Sequence, residues 1–384
     1  MLAIAKREFS ALFNNVIGWL FVAAVLAFWG FYFFVYNLLY MSPSTARTAQ
    51  SVIFILLLGV PILTMRILSE EKKNKTDQLI MTAPVSTWQI VFGKYLALVL
   101  VFAIPVLVML VSPLVLTMFG EVSMVESYLA LLAYILYGMT VLSIGLFISS
   151  LTESVVISAI VTFLALFVGF MSGNVAESIF DDGSIAASIL SVIDLMSPMD
   201  ELCAGILDVP SVIYYVSVII LFLFLTVQSI EKRRWSISTR KLSGSAFSVA
   251  SIALVLAFVV VLNVIGTKLP DKYSAIDLTS KKYYSITDKT KDFLKTYDSD
   301  VTIYVLGAKS SIKSSYPEVP KTLNKYVESS SHIDVEYVDL DKNPTFADEY
   351  DASSLAEGSL IVVSEKRYKA ISIDDIYASE IDYT

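Results

Sequence analysis

Long apolar runs separated by short polar segments occupy the first two-thirds of the chain. A helix that crosses a bilayer needs about 20 mostly apolar residues, and seven runs come close to that length. They cover residues 16–36, 50–67, 95–118, 128–149, 154–172, 211–229 and 246–266. The third run contains Pro105 and Pro113, which lack a backbone donor and should kink it. The pattern predicts an α-helical polytopic membrane protein with about seven spans.

The first 15 residues repeat apolar positions with the period of a helix, while Lys6, Arg7 and Glu8 lie on the other face. This pattern is typical of an amphipathic helix on a membrane surface. A cleaved signal peptide is the alternative. The apolar run that follows is too long for a signal peptide and has no small-residue cleavage site, so we interpret it as the first span.

One polar stretch, Met65–Ala97, separates the second and third spans. Connections between neighbouring helices are usually short, so a loop of this length and charge is expected to contact something outside the membrane. A solvated loop without a partner is the alternative. Its charged residues are Arg66, Glu70, Glu71, Lys72, Lys73, Lys75, Asp77 and Lys94.

The pattern changes after Gly266 to alternating helical and strand-like segments. Helices are predicted at 287–297 and 320–330, and strands at 301–307, 332–340, 359–364 and 367–373. Such alternation favours an α/β sheet domain. The chain stops shortly after the last strand, which is typical of a fragment of a longer domain.

Composition supports this division into a membrane part and a water-exposed part. Charged residues are only 17% of the chain and the mean hydropathy is +0.69, whereas soluble domains carry about 25% charged residues. Residues 1–266 hold 13 Lys/Arg and 15 Asp/Glu, and residues 267–384 hold 15 and 21. The second part therefore has an ordinary soluble composition, and its mild acidity argues against a nucleic-acid partner.

The placement of lysine and arginine predicts the orientation of the chain. With the N-terminus in the cytoplasm, the only cation in the outer segments before residue 267 is Arg47, and the positive-inside rule favours this arrangement. Residues 267–384 are then extracytoplasmic. The outer loop 173–210 is acidic, and Ile185–Leu190 and Leu202–Leu207 are predicted to form short helices in it. The cytoplasmic cations are Lys6, Arg7, Arg66, Lys72, Lys73, Lys75, Lys94, Lys232, Arg233, Arg234, Arg240 and Lys241.

Several function classes are excluded or disfavoured. A single cysteine, Cys203, and a single histidine, His332, leave no intrachain disulfide, no redox pair and no Cys/His zinc site. Gly93-Lys94 is not part of a phosphate-binding loop, since Trp88 stands where its first glycine belongs. We therefore expect no enzymatic activity, no cofactor and no metal. The predicted spans hold almost no ionisable side chain, which disfavours an ion-coupled transporter.

The polar stretch resembles a known family. Glu70-Glu71, Thr76, Leu79, Ala83-Pro84-Val85-Ser86 and Gly93-Lys94 are similar to the E…GT…LL…P[VL]S…GK pattern of type-2 ABC exporter permeases. The resemblance covers roughly residues 1–230, which contain an amphipathic elbow helix and six spans. It departs at Lys75, where the family usually has glycine, so the local turn is expected to differ.

The second part resembles another family. Ala275–Leu306 and Val335–Pro344 are similar to the extracytoplasmic domain of gliding-motility-type ABC auxiliary proteins, which usually begins with one span, here 246–266. The helix–strand order is similar to that of a thioredoxin-like unit, without redox cysteines. The expected organisation is a permease domain (1–230), a basic linker (231–245), a seventh span (246–266) and an auxiliary outer domain (267–384).

Together the resemblances imply the permease of an ABC exporter in a bacterial cytoplasmic membrane. They imply a separate cytoplasmic ATPase and a second permease copy as partners, with force received through loop 69–90. A membrane-anchored envelope scaffold without transport is the alternative, and the substrate stays open. The implied ATPase-coupling residues are Glu70, Glu71, Lys72, Lys73, Lys75, Thr76, Asp77, Leu79 and Pro84, with Lys6, Arg7 and Glu8 on the elbow helix.

Overall fold

The structure is a computed structural model, and the part of the chain that it describes forms two compact units, Met1–Ser280 and Lys281–Thr384. The first unit is helical and carries the long apolar segments. The second is a small mixed sheet with helices. The described residues are 1–77, 84–179, 190, 192–235, 241–267, 275–278, 287–297, 299–316, 318–340, 342–343, 345–352, 355–364 and 367–376.

Apolar helices dominate the described residues of the first unit, and a π-helical turn, Phe33–Leu39, extends the second of them. In chain order the helices are α1 (Leu2–Asn14), α2 (Val16–Tyr32), α3 (Ala46–Thr64), α4 (Ser69–Lys73), α5 (Thr87–Met109), α6 (Ser112–Leu116), α7 (Met124–Leu151), α8 (Val155–Ile179), α9 (Ser197–Cys203), α10 (Val209–Trp235) and α11 (Lys241–Thr267).

Six segments of this unit are long and apolar enough to cross a membrane. They match the first six predicted spans, and this part of the prediction is confirmed. Helix α11 covers the predicted seventh span, but its apolar part among the described residues is the shorter stretch Ser251–Asn263, so a seventh span stays a prediction. The six segments are Val16–Leu39, Ala46–Lys73, Thr87–Leu116, Met124–Leu151, Val155–Gly173 and Val209–Lys232.

Helix α7 forms the centre of the first unit, since it contacts α3, α5, α8, α9 and α10. Residues on all its sides are buried, among them Tyr134, Tyr137 and Leu142. A helix that is apolar all round is expected in such an interior position.

The two prolines of the third predicted span have different effects. Pro105 lies inside α5, whereas α5 ends at Met109 and Pro113 stands in the first turn of α6. A proline in a first turn is tolerated because its missing N–H would have no partner in the helix. The predicted third span is thus one apolar segment, Thr87–Leu116, which a turn at residues 110–111 divides just before Pro113.

The prediction of a short helix at Leu202–Leu207 is wrong. Helix α9 ends at Cys203, Gly205 has a φ of +86°, and strand β1 follows at Ile206–Asp208. Strand β1 pairs antiparallel with β2, Ala275–Asp277. Glycine permits this left-handed turn without strain. The other predicted helix of this loop, 185–190, lies outside the described residues except for residue 190.

The second unit contains one four-stranded sheet in its described part. The strand order is β4–β3–β5–β6, with β3 and β4 parallel and the other pairs antiparallel. The four predicted strands and two predicted helices are confirmed, while the helix after β3 and the 3-10 turn were not predicted. The elements are α12 (Asp288–Thr296), β3 (Val301–Leu306), α13 (Lys309–Ser315), α14 (Glu318–Ser329), β4 (Ile333–Val338), a 3-10 turn (Phe346–Tyr350), β5 (Leu360–Ser364), β6 (Arg367–Ile371) and α15 (Ile373–Ile376).

The sheet has a core on each face. On one face Ile303 and Val305 of β3 pack with helix residues such as Leu323. On the other face Leu306 and Ile361 pack against the segment that contains the 3-10 turn. Burial on both faces explains why β3 reads as a continuous apolar run.

Candidate functional site

The polar stretch after α3 begins with α4 and a tight turn. The N–H of Lys75 donates to the carbonyl of Lys72 at 3.1 Å, and the N–H of Thr76 donates to that of Glu71 at 3.0 Å. Lys75 has a φ of +56°, in the left-handed region that favours glycine. Lys75 thus adopts a backbone conformation that glycine adopts without strain.

Four charged side chains from three helices meet behind this turn: Arg7 and Glu8 of α1, Glu71 of α4 and Lys94 of α5. We call them the ion cluster. The Lys94 Nζ lies 2.9 Å from the Glu71 Oε1 and 3.1 Å from the Glu8 Oε1. The Arg7 Nη2 lies 3.1 Å from the same Glu71 oxygen and also pairs with Glu8. Two cations therefore balance two carboxylates.

Lys94 is the most deeply buried member of the ion cluster, with a side-chain exposure of 0%. Its ammonium has three N–H donors, and a third acceptor, the carbonyl of Ile67, lies 3.0 Å away. Burying an ammonium is tolerated only when it is paired and hydrogen-bonded. Lys94 consequently joins α1, the end of α3 and α4 to a single point on α5.

Glu8 is buried as well, although its sequence position suggested the polar face of α1. Burial opposes the charge on its carboxyl, but the nearby Lys94 and Arg7 together hold the pKa of Glu8 below its ordinary value. The Glu8 carboxyl therefore stays ionised at neutral pH.

Gly93 explains how α1 comes so close to α5. A Cβ atom at Gly93 would lie 3.0 Å from the Ile4 Cβ and 3.0 Å from the carbonyl oxygen of Met1. A Cβ atom at this distance would force α1 to move by a few tenths of an ångström, so glycine favours the close approach of the two helices. In the Gly93-Lys94 pair, the first residue admits the elbow helix and the second pairs with its Glu8.

The start of α4 is attached to the end of the central helix α7. The Ser149 hydroxyl accepts hydrogen bonds from the N–H groups of Leu68 at 3.1 Å and Ser69 at 3.2 Å. Lys72 donates to the carbonyl of Ser150. The last carbonyls of a helix have no partner within it and attract cations. Lys72 thus fixes α4 to α7.

The predicted coupling residues divide into a group that makes the contacts above and an exposed group. The first group is the buried Glu8 and Lys72 and the half-buried Glu71, whereas Glu70 is half-buried and pairs with Arg66 at 2.9 Å. Asp77 is half-buried. Leu79 lies outside the described residues. The exposed residues are Lys6, Arg7, Lys73, Lys75, Thr76 and Pro84.

Ser86, the last residue of the Pro84-Val85-Ser86 motif, starts helix α5. Its hydroxyl accepts from the N–H of Gln89 at 3.3 Å, and the Gln89 side chain accepts from the N–H of Ser86 at 3.3 Å. This reciprocal capping box ends the polar loop at a defined residue.

Sequence reasoning counted Lys94 among the loop charges but gave it no role. The predicted third span begins at residue 95, one residue after Lys94, whereas α5 begins at Thr87 and carries Lys94 inside the helix. A lysine within a helical pattern that is apolar on all sides was the available signal, because such a charge requires a buried partner.

Comparison with protein families gives two matches. Residues 49–230 match the ABC-2 family transporter protein, and residues 280–377 match a domain of unknown function, DUF7088. No curated protein matches the chain. No solved structure matches it either. With the six apolar helices, the first match supports an ABC transporter permease domain in a membrane.

Proposed function

We propose that the chain is the permease subunit of an ATP-driven ABC exporter, driven by a separate cytoplasmic ATPase and carrying an auxiliary outer domain. The observation that carries the proposal is the attachment of α4, inside the region that matches the ABC-2 family, to α1, α5 and α7. A loop without function has no need of attachments to three other helices.

In this proposal the ATPase contacts the exposed rim of α4 and its turn, at Lys73, Lys75 and Thr76. A push on α4 reaches α5 through Glu71–Lys94 and α1 through Glu71–Arg7. The link from Lys72 to α7 carries the same displacement to the central helix. Rigid-body movement of packed helices is an established way to turn a local contact into a larger rearrangement.

A second permease copy would complete the transport path, as the resemblance to type-2 exporters implies. In that family, as the resemblance implies, two permease copies act together. We accordingly expect the purified protein to associate with an ATPase and with a second copy of itself.

The outer domain is proposed to be thioredoxin-like and related to the gliding-motility-type auxiliary proteins. Support comes from the parallel pair β3–β4 joined through helices, followed by the antiparallel strands β5 and β6. The proposed seventh span, within α11, would place this domain outside the membrane.

The coupling proposal is tested by reversing exposed charges that make no buried attachment. The double change Lys73→Glu and Lys75→Glu is expected to abolish co-purification of the ATPase and its stimulation in membranes, while the permease still expresses and purifies normally. The matched control is Arg47→Glu, an exposed cation at the other end of α3, which should leave both readouts unchanged.

If the double variant still retains the ATPase, the ATPase does not bind through Lys73 and Lys75. If the unchanged protein recovers no ATPase from its own cell membranes, the exporter proposal itself fails, and the scaffold alternative is favoured. Charge reversal at Glu71 is less informative, since it would also break the ion cluster.

A further inference from the structure

An apolar groove lies along helices α5 and α10 of the first unit. Its volume is about 310 Å³, and its lining, which comes from described residues of α5, α7 and α10 and from Met1, exposes only apolar atoms. Trp88, Phe92 and Ile220 line it and are between 40% and 53% exposed. The groove therefore opens toward the outside of the helical unit rather than into its core.

Water is a poor occupant for this groove. Tyr95 is the lining residue that carries a hydroxyl, but this hydroxyl donates to the backbone carbonyl of Met139 at 2.9 Å. The Tyr95 side chain therefore offers its ring to the groove. A buried water molecule needs about two to four polar partners, and apolar cavities stay dry. An occupant of this groove consequently has to be apolar.

The groove has the length of one leaflet of a bilayer. Trp88 lies in the first turn of α5, and Val99 lies near the middle of the apolar segment Thr87–Leu116. Both line the groove, and their separation along the helix is roughly 16 Å at 1.5 Å per residue. Half of the hydrocarbon core of a bilayer is about 15 Å thick. Since tryptophan is enriched at the membrane–water interface, Trp88 marks the interface end and Val99 the end near the midplane.

Acyl chains are the apolar molecules that surround such helices in a membrane. An empty groove would leave its walls without dispersion contacts on one side, and a flexible chain can fill it without a complementary ridge of protein. A volume of about 310 Å³ is at the lower end of the range for ligand pockets. The groove therefore suits a single chain rather than a whole lipid.

We propose that the groove binds one acyl chain of a phospholipid from the leaflet next to α1, with the headgroup at the level of Trp88. Met1 also lines the groove, and its carbonyl oxygen lies beside Gly93, at the close contact of α1 with α5. The bound chain therefore packs against the start of the elbow helix. The inference requires only that the helices lie in a membrane, so it goes beyond the proposed exporter function.

Photo-crosslinking in a bilayer tests this site in the absence of detergent, whose own chains would compete. The full-length protein is reconstituted into phosphatidylcholine vesicles that contain a small fraction of phosphatidylcholine with a diazirine in the middle of one acyl chain. After illumination, mass spectrometry locates the adducts. They are expected on Met139 and Val99, which are half-buried in the groove, and on the exposed Val108 of α5, which ordinary bilayer lipid reaches.

Matched variants fill the groove or leave it open. Ile220→Phe places a larger side chain in it and is expected to reduce the adducts on Met139 and Val99 by about tenfold, while those on Val108 stay unchanged. The control is Val216→Phe, one turn earlier on α10, exposed and outside the lining. Ile220→Ala widens the groove and should keep both adducts. Because the substituted positions are exposed, these changes leave the packing of the core intact.

Equal adducts on Met139 and Val99 in Ile220→Phe and Val216→Phe would overturn the proposal. So would an absence of these adducts in the unchanged protein, which is the result expected if a side chain of a second copy fills the groove. Adducts on Val108 confirm in each sample that α5 lies in the bilayer. The vesicles contain no ATPase, so the outcome does not depend on whether the exporter proposal holds.

Discussion

At the scale of single residues, Lys94 links the helical core to the polar segment. Its ammonium is fully buried and is shared between Glu8, Glu71 and the carbonyl of Ile67. Removing one partner of a buried ion pair leaves an uncompensated charge, which is more harmful than removing both. The stability of this region should thus depend on charge balance rather than on the number of ion pairs.

Lys94→Met is expected to destabilise the folded helical unit by about 3 kcal/mol, at the lower end for a broken buried pair because Arg7 still faces both carboxylates. Adding Glu71→Gln restores the balance of charge and should recover part of the loss. Thermal unfolding in detergent measures both variants against Lys6→Met, an exposed change on α1 with little expected effect. A double variant less stable than Lys94→Met would contradict this account.

Lys75 illustrates a residue whose backbone matters more than its side chain. A left-handed conformation costs a non-glycine residue roughly 1–2 kcal/mol, and Lys75 bears that cost at a φ of +56°. Lys75→Gly should therefore raise the unfolding temperature slightly, whereas Lys75→Ile should lower it. Lys73→Ile, on the helical residue next to the turn, is the control and should change it less. An equal change of the unfolding temperature in all three variants would exclude the conformational explanation.

At the scale of elements, the docking of α1 on α5 depends on the absence of a side chain. Ile4 and Met1 occupy the space in which a Gly93 side chain would lie. The polar face predicted for α1 also proved to be divided, since Glu8 points into the ion cluster while Lys6 stays exposed. The elbow helix is therefore held by a close backbone contact and a set of charges, in addition to the burial of Ala5 and Leu12.

Gly93→Leu is expected to push α1 away from α5, since overpacking costs about 1–3 kcal/mol. Trypsin should then cleave after Lys6 or Arg7 about tenfold faster, the factor that ~1.4 kcal/mol provides. The matched control is Gly30→Leu in α2, where nothing lies within 4 Å of the added Cβ. Equal cleavage of the two variants would mean that α1 does not depend on this contact.

At the scale of the whole molecule, the number of crossings decides where the second unit lies. Six crossings return the chain to its starting side, and a seventh places residues 281–384 on the opposite side. The cation distribution favours a cytoplasmic N-terminus, and a crossing through α11 would make the second unit extracytoplasmic.

Protease added to right-side-out vesicles should therefore digest the second unit and spare a tag at Met1. Inverted vesicles should give the opposite result. The physical reason is the parity of crossings, since an intact bilayer excludes the protease from one side. Digestion of the tag and the second unit from the same side would show that α11 does not cross.

The sequence by itself determined the elements whose signal is local. A span is recognisable because some 20 consecutive apolar residues must be buried in lipid, and the strands β3 to β6 follow from runs of apolar and alternating residues. The polar segment and the glycine–lysine pair were visible as well. The sequence identified the polar segment and this pair as unusual, but it did not show which residues they contact.

Tertiary structure decided which polar residues are buried and with what partners. Glu8, Glu71 and Lys94 are separated by more than 60 and 20 residues in the chain, and only the packing of α1, α4 and α5 brings them together. Among the described residues the buried hydroxyls of Tyr134 and Tyr137 have no hydrogen-bond partner, which is likewise invisible in the sequence. A local pattern can indicate that Lys94 is buried, but which residues pair with it depends on contacts between distant segments, and no local pattern contains that information.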